Sequence, residues 1–360
     1  MLKFNKYTGV LLLLVLVLSS CLNTGNKSSI KPKAISKSND IVVIADKTLW
    51  QSETEDTFRY YYESAYPITP NPEAIFKIRY FDYDQIDAEH LRRELRTYIV
   101  LVNLADTNSK ITKMFLSDIG EKNNNLISKI DSFDVFYGHD KWARDQLIVY
   151  LVAKDINNIP KSISSTFSEI SERIHKHDEP QIKIATFFSG HNTEAESQIK
   201  NLLGVKINIP KDYKIALINK DEKFVWTRRD SKKAISNFVI KKIEYKDSTV
   251  FDEKTVIKLI NQFGVYVTSD TDGSNLVVNN KDLPVLKFYK NESSNYTVEY
   301  RGIWEMTKDF MGGAFIAWLV KKDNSNDLIF MLGFVYGPGT GKKEYLQQLM
   351  AIANTLTFEK

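Results

Sequence analysis

The sequence predicts an α+β protein of two domains, each an antiparallel sheet flanked by helices. Strand-like segments come in runs, and segments with helical apolar periodicity stand between the runs, without the strict alternation of a parallel βαβ chain. Hydrophobic residues make up 43% of the 360-residue chain and aromatics 12%, enough for two packed interiors. Gly190 followed by the capping pattern at Thr193 divides the chain near its middle.

Ile41 to Ala45 reads as the first strand, ending at Asp46. Ser52-Glu53-Thr54-Glu55 has capping-box spacing. Phe58, Tyr61, Tyr62, Ala65 and Tyr66 then form one apolar helix face, a core-facing stripe, which Pro67 stops. Strands are expected at Ala74 to Tyr83 and Thr97 to Leu104, a short helix at Ile111 to Ile119, and strands at Asp134 to Tyr137 and Gln146 to Ala153. The stretch from Gly138 to Arg144 between the last two is polar. Pro160 suits a first helical turn, with Ile163, Phe167, Ile170 and Ile174 on one face. Pro180 interrupts that pattern, which resumes with Ile184, Phe187 and Phe188.

In the second half, a helix capped at Thr193 carries Ile199, Leu202 and Leu203 and stops at Gly204. Strands follow at Lys214 to Ile218, Lys223 to Arg229 and Phe238 to Glu244. Asp252 caps a helix bearing Val256, Leu259, Ile260 and Phe263. Asn295 to Trp304, Ala314 to Lys321 and Leu328 to Tyr336 are strands. The last helix presents Tyr345, Leu346, Leu349, Met350, Ala353 and Leu356. The expected domains are 41–192 and 193–360, and a chain beginning near Gly190 is expected to fold alone.

The first forty residues are of a different kind. Lys3 and Lys6 precede nine consecutive Val and Leu residues, Val10 to Leu18. As a helix this run rises about 14 Å, roughly half of a hydrocarbon core, which is a signal h-region and not a span. Leu18-Ser19-Ser20-Cys21 resembles a bacterial lipobox. Residues 1–20 are therefore expected to be removed and the Cys21 thiol to carry a diacylglycerol, an anchor held by about 0.8 kcal/mol per buried methylene. Cys21 is the only cysteine, so the lipidated chain has no thiol for a disulfide or for catalysis. Residues 22–40 are rich in Asn, Ser and Lys, contain Pro32 and lack an apolar period, and are expected to be a flexible tether spanning about 24 Å. Lys27, Lys31, Lys33 and Lys37 can lie along anionic headgroups at about 1 kcal/mol each.

Forty-nine basic and 45 acidic residues give a formal charge of +4, and removal of residues 1–20 takes Lys3 and Lys6 with no acid, leaving +2. That mixed surface argues against a nucleic-acid partner.

Several strings in the C-terminal half belong together: Phe224 to Arg229, Arg301-Gly302-Ile303-Trp304-Glu305-Met306, Asp309 to Gly313, and Gly333 to Pro338. With Asp46, Leu49, Trp50 and the lipobox, they resemble a Bacteroidota lipoprotein family known only as a domain of unknown function. The resemblance spans nearly the whole mature chain and implies lineage and compartment, with no activity. Surface-exported lipoproteins of that group usually carry acidic residues just after the cysteine. None occurs here before Asp40, which implies an outer-membrane protein facing the periplasm. The element order from about residue 193 is similar to the Mog1/PsbP-like α/β/α sandwich, which implies an accessory or binding protein.

Sites are sparse. Tyr336 to Lys343 lies where a P-loop would, but Tyr336 replaces its first glycine and Lys343 its Ser or Thr. Ser269 to Gly273 lacks the carboxylates of a calcium loop at both end positions, which fall on Thr268 and Asn279. His175 and His177 point to nearly opposite sides of a helix, and His90, His139 and His191 stand alone, so no metal or other cofactor is expected. One constellation is left as a ligand pocket or a salt-bridged hairpin corner: the turn at Gly312-Gly313, with Asp309 paired to Arg301, and Trp304 and Phe310 close by. Phe224, Trp226 and Arg228 share one strand face, with Trp226 over Arg228. The expected function is a non-catalytic binding or accessory protein of the envelope, partnered by the membrane through its lipid and by an unidentified envelope protein or ligand. The alternative is a hydrolase-like envelope enzyme using carboxylates near Asp309.

Overall fold

The computed structural model describes residues 31–120, 124–290 and 295–359. The expected signal segment and Cys21 lie outside the described residues.

Two sheets organise the chain. The N-terminal unit runs β1 (Asp40–Ile44), α1 (Glu55–Tyr62), β2 (Lys77–Phe81), α2 (Tyr83–Ala88), β3 (Thr97–Asn103), α3 (Lys110–Ile119), α4 (Asn124–Ile127), β4 (Phe133–His139), β5 (Leu147–Ala153) and α5 (Ile159–Thr186). Its sheet has the order β2-β1-β3-β5-β4. The α+β class with two units holds, but this sheet departs from the expected antiparallel pairing. β1 pairs in parallel with β2 and β3, and β3 with β5; only β4 and β5 are antiparallel. The reason lies in the strands themselves. β3 and β5 are buried along almost their whole length, with side chains on both faces, as parallel strands covered by helices require. One face packs Ile99, Leu101 and Val149 under α1 and α5; the other packs Val100, Val102 and Ile148 with Ile111 and Phe115 of α3.

Three local expectations are corrected. Ser52 does not cap α1: its backbone (φ −89°, ψ −163°) breaks the helix, which begins at Glu55. Phe58 and Tyr62 of the expected stripe are fully buried, but α1 ends at Tyr62, so Tyr66 leaves the stripe. Pro180 does not interrupt α5, which continues to Thr186. Pro180 is exposed, and the buried side chains on both sides of it, Ile174, Asp178 and Thr186, hold the helix through the missing ladder bond. Residues 32–35, expected to belong to a flexible tether, are held by hydrogen bonds. The Ala34 N–H donates to Arg144 O at 2.8 Å, the Ile35 N–H to Glu94 O at 2.7 Å, and the Arg144 N–H to Pro32 O at 2.8 Å. Residues 32–35 thus form a strap whose backbone groups find partners on the unit, which composition alone does not reveal.

The C-terminal unit runs α6 (Thr193–Leu203), β6 (Val205–Lys206), β7 (Lys214–Asn219), β8 (Phe224–Asp230), β9 (Ile235–Glu244), α7 (Glu253–Gly264), β10 (Leu276–Asn279), β11 (Leu286–Lys290), β12 (Tyr296–Met306), β13 (Gly312–Lys321), β14 (Asp327–Tyr336), α8 (Lys343–Ala353) and β15 (Thr357–Phe358). Its large sheet, β10-β12-β13-β14-β9-β8-β7 with β11 also on β12, is antiparallel throughout, as expected. Alternation sends Ile316 and Trp318 toward α6 and α8, and Phe315 and Leu319 toward α7. Asn192 rather than Thr193 caps α6, accepting from the Ala195 N–H at 3.0 Å. Strands β10 and β11 escaped the sequence reading. Both are short and line the same edge of β12.

The units are stitched together. Tyr66 is buried in the core under α6 and α8, and Ile75 touches the cores of both units. α5 packs against α8. The Glu73 carboxylate accepts from the N–H of Lys342 at 2.5 Å and of Lys343 at 3.2 Å, capping α8 from the other unit.

Candidate functional site

The sequence-predicted constellation is divided by the sheet. Arg301 faces α8, where its Nε donates to Glu299 Oε1 at 2.7 Å. Glu299 is 1% exposed and also accepts from Trp318 Nε1 at 3.2 Å, and pairs with Lys290 at 3.2 Å. Burial pushes the Glu299 carboxyl up, but Arg301 and Lys290 outweigh it and hold the group below the usual range. The Arg301 guanidinium lies 5.1 Å from the Tyr66 ring and 5.4 Å from that of Phe288. Arg301 is therefore an interface residue, and its carboxylate partner is Glu299 and not Asp309.

Trp304 and Trp226 are on the opposite face, 5.8 and 6.4 Å from the Phe334 ring. Trp226 Nε1 donates to Asn237 at 3.0 Å; Trp304 Nε1 is buried without a hydrogen-bond partner. Arg228 does not lie under Trp226 but pairs with Asp230 at 2.7 Å. Asp309 accepts from the hydroxyls of Ser269 and Thr271, which hold its carboxyl below the usual range, the wrong direction for a general acid. Phe310 is fully exposed, whereas Trp304 is buried. Gly312 and Gly313 are extended residues of β13, opposite Glu305 and Trp304. They serve close approach: a Cβ on Gly313 would stand 1.9 Å from Val335 O, and one on Gly312 2.8 Å from Trp304 O.

The loop compared with a P-loop is closed by the chain's own groups. Glu73 occupies the helix N-terminus, and Lys342 Nζ donates to the carbonyls of Gly337 and Thr340. His175 stacks on Phe76 at 5.0 Å, and His177 lies near Arg96. Among the described residues no group of three or more His, Cys, Asp or Glu could hold a metal.

A cleft of about 470 Å³ opens elsewhere, over the β4–β5 hairpin. Phe136, Gly138, Ile148 and Tyr150 line it from the sheet, and Asp118 from the end of α3. Asp118 accepts hydrogen bonds from Lys141 Nζ and from the Tyr150 hydroxyl. Burial, with Asp118 adding to it, pushes the Tyr150 phenol up. Lys31, just before the strap, also lines the cleft and donates to the Asp140 carbonyl. The sequence places Phe136, Ile148 and Tyr150 in strands, Asp118 in a helix and Lys31 in the tether, and leaves Gly138 to Lys141 in a polar stretch, with nothing to join them into one site. A lone glycine inside a strand, Gly138, was the signal available.

The class this geometry defines is a two-unit α+β protein with one mixed and one antiparallel sheet. Two family profiles match it: residues 34–188 match a domain of unknown function (DUF8532), and residues 192–355 match another domain of unknown function (DUF4837). No curated protein matches the chain. Among solved structures, the Ran-binding protein Mog1p of Saccharomyces cerevisiae is similar at 8% identity and a TM-score of 0.27, over 43% of this chain and 89% of that one. A Bacteroides thetaiotaomicron VPI-5482 protein is similar at 14% identity and a TM-score of 0.20, over 44% of this chain and 46% of that one. The lipid transfer and protein localization domain of human StarD13 is similar at 11% identity and a TM-score of 0.20, over 40% and 88%. Likeness at this level carries no argument about activity.

Proposed function

We propose that this chain is a lipid-anchored envelope protein, facing the periplasm, that acts by binding as an accessory component and not by catalysis. The observation that carries the binding role is the cleft over Gly138. Its Lys141 ammonium and Tyr150 hydroxyl both donate to Asp118, and burial with Asp118 pushes the Tyr150 phenol up, away from use as a base near neutral pH. A preformed cleft with a fixed ion pair suits recognition. The anchor rests on Leu18 to Cys21 behind the nine-residue Val and Leu run. Among the described residues no helix is long and apolar enough to cross a membrane.

Protease added to intact cells tests the orientation. The protein should resist until the outer membrane is permeabilised; digestion in intact cells contradicts a periplasmic face. Crosslinking in cells followed by mass spectrometry tests the accessory role, which predicts a reproducible envelope partner.

A further inference from the structure

We propose that the cleft over Gly138 binds the headgroup of a zwitterionic glycerophospholipid, of the phosphoethanolamine kind, presented by the membrane that carries the anchor. The membrane source rests on the lipidation reading; the chemistry of the site does not.

The charges of the cleft come in both signs: Lys141 pairs with Asp118, Lys31 donates to the Asp140 carbonyl beside them, and the apolar floor includes Phe136 and Leu126. A ligand of one sign gains from one partner what it loses to the other. A ligand carrying both a phosphate and an ammonium lies antiparallel to the pair, phosphate toward Lys141 and ammonium toward Asp118, and gains from both. The glycerol and first methylenes then cover the floor. A volume of about 470 Å³ suits a headgroup with its glycerol.

Gly138 keeps the cleft open. A Cβ built there has its nearest protein atom, Tyr150 Cε2, at 3.7 Å, so a larger side chain would fit the strand and fill the cleft. The strap supplies the placement. Lys31 lines the cleft, residues 32–35 are hydrogen-bonded to the unit, and nine residues separate Cys21 from Lys31. The ten Cα-to-Cα steps from Cys21 to Lys31 reach at most about 35 Å. A chain anchored at Cys21 holds the cleft within that distance of the bilayer, where headgroups are at high effective concentration.

The test is titration calorimetry on the mature chain, residues 21–360 with Cys21→Ser for solubility. The probe is dihexanoyl-phosphatidylethanolamine below its micellar concentration, with dihexanoyl-phosphatidylglycerol and free phosphoethanolamine as comparators. Saturable binding of the first, at least tenfold tighter than of either comparator, is expected. Gly138→Leu should abolish it at an unchanged melting temperature, and Lys141→Gln should weaken it at least fivefold. No binding, equal binding of phosphatidylglycerol, or binding untouched by both variants overturns the site. Free phosphoethanolamine binding as tightly as the lipid overturns the membrane source. Failure of the anchor reading would appear in acyl labelling of Cys21 and not in this titration.

Discussion

Asn39 and Gln347 exchange two amide hydrogen bonds, Asn39 Nδ2 to Gln347 Oε1 at 2.9 Å and Gln347 Nε2 to Asn39 Oδ1 at 3.0 Å. The pair joins the entry of β1 to α8 of the other unit. The Asn39 N–H also donates to Asp178 Oδ2 at 2.7 Å, and Asp178 in turn holds Arg96, all of them buried. Asn39 has φ +66°, a left-handed conformation that asparagine tolerates better than most residues. Asn39→Ala loses the amide pair and strains the backbone, and should cost about 2–4 kcal/mol. Asn39→Gly loses the pair alone and should cost about 1 kcal/mol less. Urea denaturation separates the two, and wild-type stability in both would show that this junction carries no load.

Glu73 caps α8 across the same boundary. Burial holds the Lys342 and Lys343 ammonium groups below the usual lysine range, with Glu73 pulling the other way. Glu73→Ala leaves two helix N–H groups without their carboxylate and should destabilise by about 1–2 kcal/mol. An unchanged denaturation midpoint would contradict the cap.

Gly313 and Gly312 give a graded test of close approach. The carbonyl of Val335 blocks a Cβ on Gly313 more severely than that of Trp304 blocks one on Gly312. Gly313→Ala should cost about 3 kcal/mol and Gly312→Ala clearly less, in a thermal melt. Equal and small losses would mean that β13 and its neighbours shift freely.

Stability should fall as pH drops from about 6.5 to about 4. Burial, then Arg301, Lys343 and Lys290, lowers His175 to about 4; burial, then Arg96 and His139, lowers His177 to about 4. In this window the unfolded chain binds protons that the folded chain refuses, so stability is lost with acidification, by up to about 3 kcal/mol for His175 and by less for the more solvent-screened His177. Asp178, whose burial raises its carboxyl above the usual range, works in the opposite sense. His175→Gln with His177→Gln should flatten the profile between pH 4 and 6.5. An equally steep profile in the double variant would assign the loss to other groups.

Much of the fold was legible because its signals are local. The apolar runs at Ile41, Thr97 and Leu147, the stripes of α5 and α8, and the long strands β12 to β14 all lie where periodicity places them. What escaped depends on contacts distant in sequence. Tyr66 continues the α1 stripe in spacing yet serves the other unit's core, because the helix ends four residues earlier. Parallel pairing of β1 and β3 is a property of connection and burial that the order of strands does not state. Arg301 and Asp309 are close in sequence, but alternation and a turn send them to different places, and the nearer acid, Glu299, takes the guanidinium. The cleft over Gly138 needed four separated segments to come together, with a single glycine as its only local sign.

The anchor at Cys21 is tested most directly by acyl labelling. Cells fed an alkyne fatty acid should label the wild-type protein and hold it in the membrane fraction. Cys21→Ser should take no label and accumulate as unprocessed precursor. Equal labelling and normal processing of the Cys21→Ser variant would contradict the lipid anchor, and with it the placement of the cleft at a membrane surface.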